Sequence, residues 1–378
     1  MSEYQYYEFA AIDRPLTEEE LEEVGALSSR AEITPTSFKN VYHYGSFRGN
    51  PLKMMEKYFD IFVYVANWGT HRLMIRVPNW ARDDNQLLPY IDGEVLSLHE
   101  SSDDLIVIFD ANDETSGDWV EGEGWLPSFR PVRDALLAGD LRPFYLGWLR
   151  AAIQGSTEND DAEPPVPPGL GKLPAALKAL ANFLMIDHDL IEAAAEGNKE
   201  QASSAAPSRH DFAAWLAARD QREKDAWLVA LLEGEGAKAR AEALKAFHQS
   251  KRTAVPSAGN GCTIPGRTVA ELLAAADSLH KERVARERER AENAKAEARQ
   301  KHLDLLARRE AAAWKQVDAL LSTSAAKKHE TAIELLTDLR DIAARRGRID
   351  EAQQRIEQYR ERFARRHSLM RRFREAGL

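Results

Sequence analysis

Residues 50–69 read NPLKMMEKYFDIFVYVANWG, and how this stretch divides decides the architecture of the first third of the chain. Ile61, Val63 and Val65 alternate as in a strand. Met54, Met55, Tyr58, Ile61, Phe62 and Val65 instead fall at helical spacing, with Asn50 as N-cap, Pro51 in the first turn and Gly69 past the end. The second frame explains more positions and predicts one helix.

Around it, apolar and aromatic runs at 4–12, 38–44, 72–77, 94–99 and 105–110 read as short strands. Thr17-Glu18-Glu19-Glu20 is a capping box that starts a helix to about residue 28. Two helices follow at 126–138 and 141–154, parted by Gly139-Asp140. The order predicts an α+β N-terminal domain over 1–155, with helices covering one face of a sheet.

Past it the strand signals stop. Residues 156–172, STENDDAEPPVPPGLGK, have the composition of a Pro-rich linker. Short helices at 174–184, 188–196, 209–219, 221–233 and 237–248 predict a small helical domain over 173–250, and 251–267 reads as a loop. Thr268-Val269-Ala270-Glu271 is a second capping box, opening a long charged helix over 268–321. Residues 322–378 predict a C-terminal helical hairpin, with helices at 326–346 and 351–366 around Gly347 and a short helix from 368. The expected fold is therefore an α+β domain followed by an all-α region.

The 378 residues are 44% hydrophobic and 30% charged, enough for two or three domains with real cores. Cys262 is the single cysteine, so neither an intramolecular disulfide nor a cysteine-based zinc cage can form. The first residues have no basic start and no apolar segment, unlike a signal peptide. No run of about 18 apolar residues appears, so no membrane is expected, and a cytoplasmic location follows. The net charge of −10 is uneven: −13 over 1–150, −6 over 151–250 and +9 over 251–378. Such a basic tail points to a polyanionic partner or to attraction between the two ends.

Residues 281–299 carry seven basic and five acidic side chains, many of opposite sign four apart. A net of +2 is too little for an arm that grips phosphates, so this reads as a solvated spacer helix. Its apolar positions specify no coiled-coil seam. The tail differs. Residues 340–378 hold twelve Arg, no Lys and six acidic residues. Ile333, Leu336, Leu339, Ile342 and Ala343 form one apolar face, and Ala352, Ile356, Tyr359 and Phe363 the facing one. Arg355, Arg362 and Arg366 lie on one flank, a polyanion-binding surface or a set of intramolecular partners.

Chemistry-bearing motifs are incomplete. Asp110, Asn112, Glu114, Ser116, Asp118 and Glu121 stand at calcium-loop spacing, but Thr115 occupies the required glycine position. PPGLGKLP at 167–174 lacks the first glycine and the Ser/Thr of a phosphate loop. In Asp187-His188-Asp189, Asp187 is placed to cap the following helix rather than to serve acid–base chemistry. Cys262 has no base positioned by sequence. His43, His71 and His99 read as sheet histidines rather than metal ligands. Tyr42, Tyr44, Trp68, Trp119 and Trp125 are candidates to line a ligand pocket, or are core aromatics. No cofactor and no catalytic residue is expected.

From about residue 208 onward, FAAWLAARDQREKDAWLVALLEGE, RTVAELLAAADSL and the closing SLMRRFREAGL resemble the region carboxy-terminal to the zinc finger in bacterial SWIM zinc-finger proteins. The head, with YQYYEFAAIDRPLT and ANWGTHRLMIR, is similar to that of bacterial hypothetical proteins. The finger needs a Cys-x-Cys pair and a later Cys-x-His; with Cys262 alone, no ligand carries over. The resemblance thus implies an accessory helical tail, used where a finger-bearing relative contacts nucleic acid, and no catalysis. The expected function is a non-enzymatic interaction or scaffold protein with an unknown protein partner. The alternatives are a nucleic-acid-associated protein acting through the Arg-rich hairpin, and a small-molecule enzyme with a pocket in the N-terminal domain.

Overall fold

The computed structural model describes residues 3–79, 84–113, 121–196, 209–234, 267–323 and 325–378, with scattered positions between 236 and 250. Seven strands form one antiparallel sheet: β1 (Gln5–Ala10), β2 (Glu32–Thr34), β3 (Ser37–Tyr42), β4 (Ile61–Ala66), β5 (Thr70–Pro78), β6 (Leu96–Glu100) and β7 (Asp104–Asn112). Their order is β2-β3-β1-β4-β5-β7-β6. Between them lie the helices α1 (Glu18–Gly25), α2 (Pro51–Lys57) and α3 (Asp84–Leu87). Thr17 and Glu20 form the reciprocal capping box that starts α1.

The stretch 50–69 is not one helix. Asn50 caps α2, accepting from Leu52 N and Lys53 N, and Pro51 opens it, as the sequence predicts. The helix ends at Lys57, and the chain turns over 58–60 into β4. Gly69, with φ of +89°, belongs to the β4–β5 turn instead of a helix end. The reason is burial on both sides. Ile61, Val63 and Val65 enter one core and Phe62 the other, so the strand is apolar throughout and its period of two is hidden.

Helices cover both faces of the sheet, not one. α1 and α2 pack Val24, Met54 and Met55 against Tyr7, Phe9 and Phe62. The opposite face lies under α4 (Leu126–Leu137) and α5 (Arg142–Gln154), and α6 (Ala175–Phe183) and α7 (His188–Glu196) join the same core. At Asp60 the sheet holds a buried charge network. Its carboxylate accepts from Ile12 N at 2.6 Å, Asp13 N at 3.0 Å and Arg76 Nη2 at 2.8 Å, and Arg133 of α4 lies 3.9 Å away. Arg133 in turn donates to both oxygens of Asp13, at 2.9 and 2.6 Å.

Two further helices, α8 (Arg209–Ala217) and α9 (Gln221–Leu232), precede α10 (Val269–Ala307). Of the helix expected at 237–248 only residues 239, 242, 243, 246 and 247 are described, all helical, and of the loop 251–267 only Arg267 is. Contacts divide the chain into two units, Met1–His280 and Lys281–Leu378. Segment 156–172 lies inside the first, tied down by Tyr90 Oη donating to Pro165 O at 2.6 Å and by Glu163 N donating to Arg267 O at 2.8 Å. Val269 and Leu272, at the start of α10, are buried in the same core.

The second unit contains the rest of α10, α11 (Glu310–Leu321), α12 (Ala326–Arg345), α13 (Ile349–Arg362) and α14 (His367–Glu375). The expected 268–321 helix is therefore two, parted at Arg308-Arg309. Capping by Thr268 and Glu271 is present, and so are the expected pairs Arg286–Glu282 and Arg288–Glu292. Both apolar faces of the α12–α13 hairpin are buried as their spacing predicts, and α11 and α14 complete a small bundle around them.

Candidate functional site

The three flanking arginines of the tail all have internal partners. The Arg355 guanidinium lies 4.4 Å from the Trp314 ring, and Trp314 stacks on Tyr359. Arg362 Nη1 donates to Asp318 Oδ1 at 3.1 Å, and the Tyr359 hydroxyl donates to the other oxygen of Asp318 at 3.0 Å. Arg366 Nη1 donates to Leu321 O and Thr323 O, at 2.7 and 2.8 Å, closing the end of α11. Arg346 and Arg348 share Glu310. A phosphate would have to compete with these contacts.

The aromatic set is dispersed. Tyr42 is buried on the α1–α2 side of the sheet, beside Tyr7. Tyr44 is 69% exposed, with Arg30 against its ring. Trp68 sits in the β4–β5 turn, and Trp125 packs on Phe129 and Phe183, on the opposite side of the sheet from Tyr42. Trp119 lies outside the described residues. The four described rings line no common cavity.

The histidines are likewise apart. His43 is exposed just past β3. His71 is buried in β5 with Nδ1 2.7 Å from Phe183 O, and burial lowers its pKa. His99 meets Glu56 of α2 at 2.7 Å. In the calcium-like segment, Asp110 is a β7 residue engaged by Arg72 Nε at 2.8 Å. Residues 114–120 lie outside the described residues, as does Cys262.

The segment 167–173 and helices α6 and α7 frame a groove of about 620 Å³, lined among others by Gly169, Lys178, Asn182, His188 and Glu192. Beside it Asp187 caps α7, its Oδ1 accepting from Asp189 N at 3.1 Å. Sequence spacing finds this cap but not its neighbour. His280, 91 residues on, places Nδ1 2.9 Å from Asp189 Oδ2 and 3.8 Å from Asp187 Oδ2. The three donor atoms lie within 4.8 Å of one another, as do those of His188, Asp189 and Glu192. Asp189 is the buried member, with 3% of its side chain exposed.

A second feature escapes the sequence reading. Trp227 of α9 stacks on Trp215 of α8, yet no residue of α9 is buried. Leu228, Leu231 and Leu232 are 58%, 58% and 84% exposed, and Val229 beside them is half exposed. The spacing i, i+3, i+4 puts the three leucines on one face.

No family model matches the chain, and no curated protein or solved structure matches it either. Among the described residues no helix is long and apolar enough to cross a membrane.

Proposed function

We propose that the chain is a non-enzymatic interaction protein whose protein partner docks on the leucine face of α9. The observation that carries this reading is the exposure of Leu228, Leu231 and Leu232 on a helix with no buried side chain. Exposed leucines at i, i+3 and i+4 are the anchor pattern with which a helix enters an apolar groove of another protein. Burying the three would contribute on the order of 3–5 kcal/mol, enough to anchor an interface. The nucleic-acid alternative draws less support, because Arg355, Arg362 and Arg366 already hold internal partners.

The test uses the full chain and its L228E/L231E variant. Glu is a good helix former, so the exchange at exposed positions keeps α9 folded. A partner recovered with the wild type, purified and titrated, should bind the variant at least about tenfold more weakly, the loss of one buried leucine contact. Equal affinity for the two proteins would end this reading.

A further inference from the structure

We propose that Asp187, Asp189 and His280 bind one divalent transition-metal ion, with Zn²⁺ the best fit. This inference is independent of the α9 surface. The cluster is not an acidic patch, because the imidazole comes from a different helix, 91 positions along the chain.

Donor chemistry selects the metal class. One imidazole and two carboxylates suit a borderline ion such as Zn²⁺ or Co²⁺, and the absence of thiolate among the three removes any preference for soft ions. Two carboxylates also balance the charge of a divalent cation.

Geometry agrees. An ion held about 2.0–2.2 Å from each donor needs donors roughly 3–4 Å apart. His280 Nδ1 stands 2.9 and 3.8 Å from the two carboxylate oxygens, and all three atoms fall within 4.8 Å. Small side-chain rotations bring them onto one centre.

The ligands are also oriented in advance. Asp187 spends Oδ1 on the Asp189 amide and turns Oδ2 toward the imidazole, so the helix cap fixes the carboxylate. Asp189 is held by burial. His280 and Asp187 are half exposed, which leaves the remaining coordination positions to water. His188 and Glu192 flank Asp189 and also line the 620 Å³ groove.

Without metal, the Nδ1–H of His280 donates to Asp189. On loading, the ring takes the Nε2–H tautomer and Nδ1 turns its lone pair to the ion. Loading ties α7 to α10 at His280, the last residue of the first unit.

The metal-stripped full chain is titrated with Zn²⁺ by calorimetry, and with Co²⁺ to record its visible ligand-field bands. One equivalent should bind, with affinity reduced at least about tenfold in Asp189→Asn and His280→Gln. Asp187→Asn is the cleanest variant, because Asn caps a helix as well as Asp does while losing the anionic ligand. It should stay folded and bind weakly. If the other two unfold, it decides alone. His302→Asn, which removes an imidazole paired with Asp338 in the second unit, should leave binding unchanged. No binding at millimolar Zn²⁺, or affinity unchanged in Asp187→Asn, would overturn the site.

Discussion

Glu163 and Arg267, 104 positions apart, meet as a forked ion pair, with Nε and Nη2 donating to the two carboxylate oxygens at 2.8 and 2.9 Å. The Tyr145 hydroxyl donates to the same carboxylate, and Arg267 Nη1 reaches Ala193 O at 2.9 Å. One carboxylate thus joins the Pro-rich segment, α5 and the residue that leads into α10. Because Glu163 is almost fully buried and Arg267 only partly, Glu163→Gln should cost about 2–3 kcal/mol, between the values for exposed and buried pairs. Urea denaturation of the full chain reads this. A change below 0.5 kcal/mol, about the size of an exposed pair, would mean that the segment is held by something else.

Asp60 should set much of the acid response of the first unit. Burial raises its carboxyl, but Arg76, Arg133 and the N–H groups of Ile12 and Asp13 outweigh it, and the folded pKa lies below the ordinary value. A depressed pKa gives stability that is complete above the unfolded value, about 4, and is lost as pH falls through the folded one. Asp104, whose carboxyl burial raises, works in the opposite sense. Asp60→Asn should cost about 3–5 kcal/mol at neutral pH. The gap to wild type should narrow in acid, and a gap independent of pH would contradict this account.

Gly147 lets α5 approach the sheet. A Cβ there would stand 2.9 Å from Leu96 Cδ2 and 3.2 Å from Phe109 Cδ1, both in fully buried side chains. Alanine gains about 1 kcal/mol of helix propensity and meets an overpacking cost of about 1–3 kcal/mol. Gly147→Ala should therefore be destabilising by about 1 kcal/mol, and Gly147→Val by clearly more. Urea denaturation of the full chain measures both.

The tail arginines should matter for stability. Replacing Arg355, Arg362 and Arg366 by Ala removes a ring contact, an ion pair and a helix cap. A combined loss of about 2–3 kcal/mol is expected, reading each as an ordinary charged contact or cap. The same variant should leave any retention on DNA or RNA at low salt unchanged. A steep salt-dependent binding that vanishes with the three arginines would reverse the assignment.

Local structure is legible in the sequence where one rule acts alone. Both capping boxes, the Asn50-Pro51 start and the two apolar faces of the α12–α13 hairpin are where spacing puts them. Tertiary packing hides the rest. Residues 61–66 look helical because a strand buried on both faces shows no alternation. Arg308-Arg309 are good helix formers, so nothing local announces the break between α10 and α11. Glu310 meets Arg346 and Arg348, partners 36 and 38 positions on that its own neighbourhood does not reveal. The Asp187–Asp189–His280 cluster was half legible. The cap is written in adjacent residues, but the imidazole arrives from a helix that sequence order cannot place.

A strand with one wet side tolerates exchange at every other position, and that rhythm is what usually betrays it. β4 has forfeited the rhythm by lying between two cores. Evolution can therefore vary it only slowly and on both sides together, and novelty in this molecule has its freest ground on the outward helices instead.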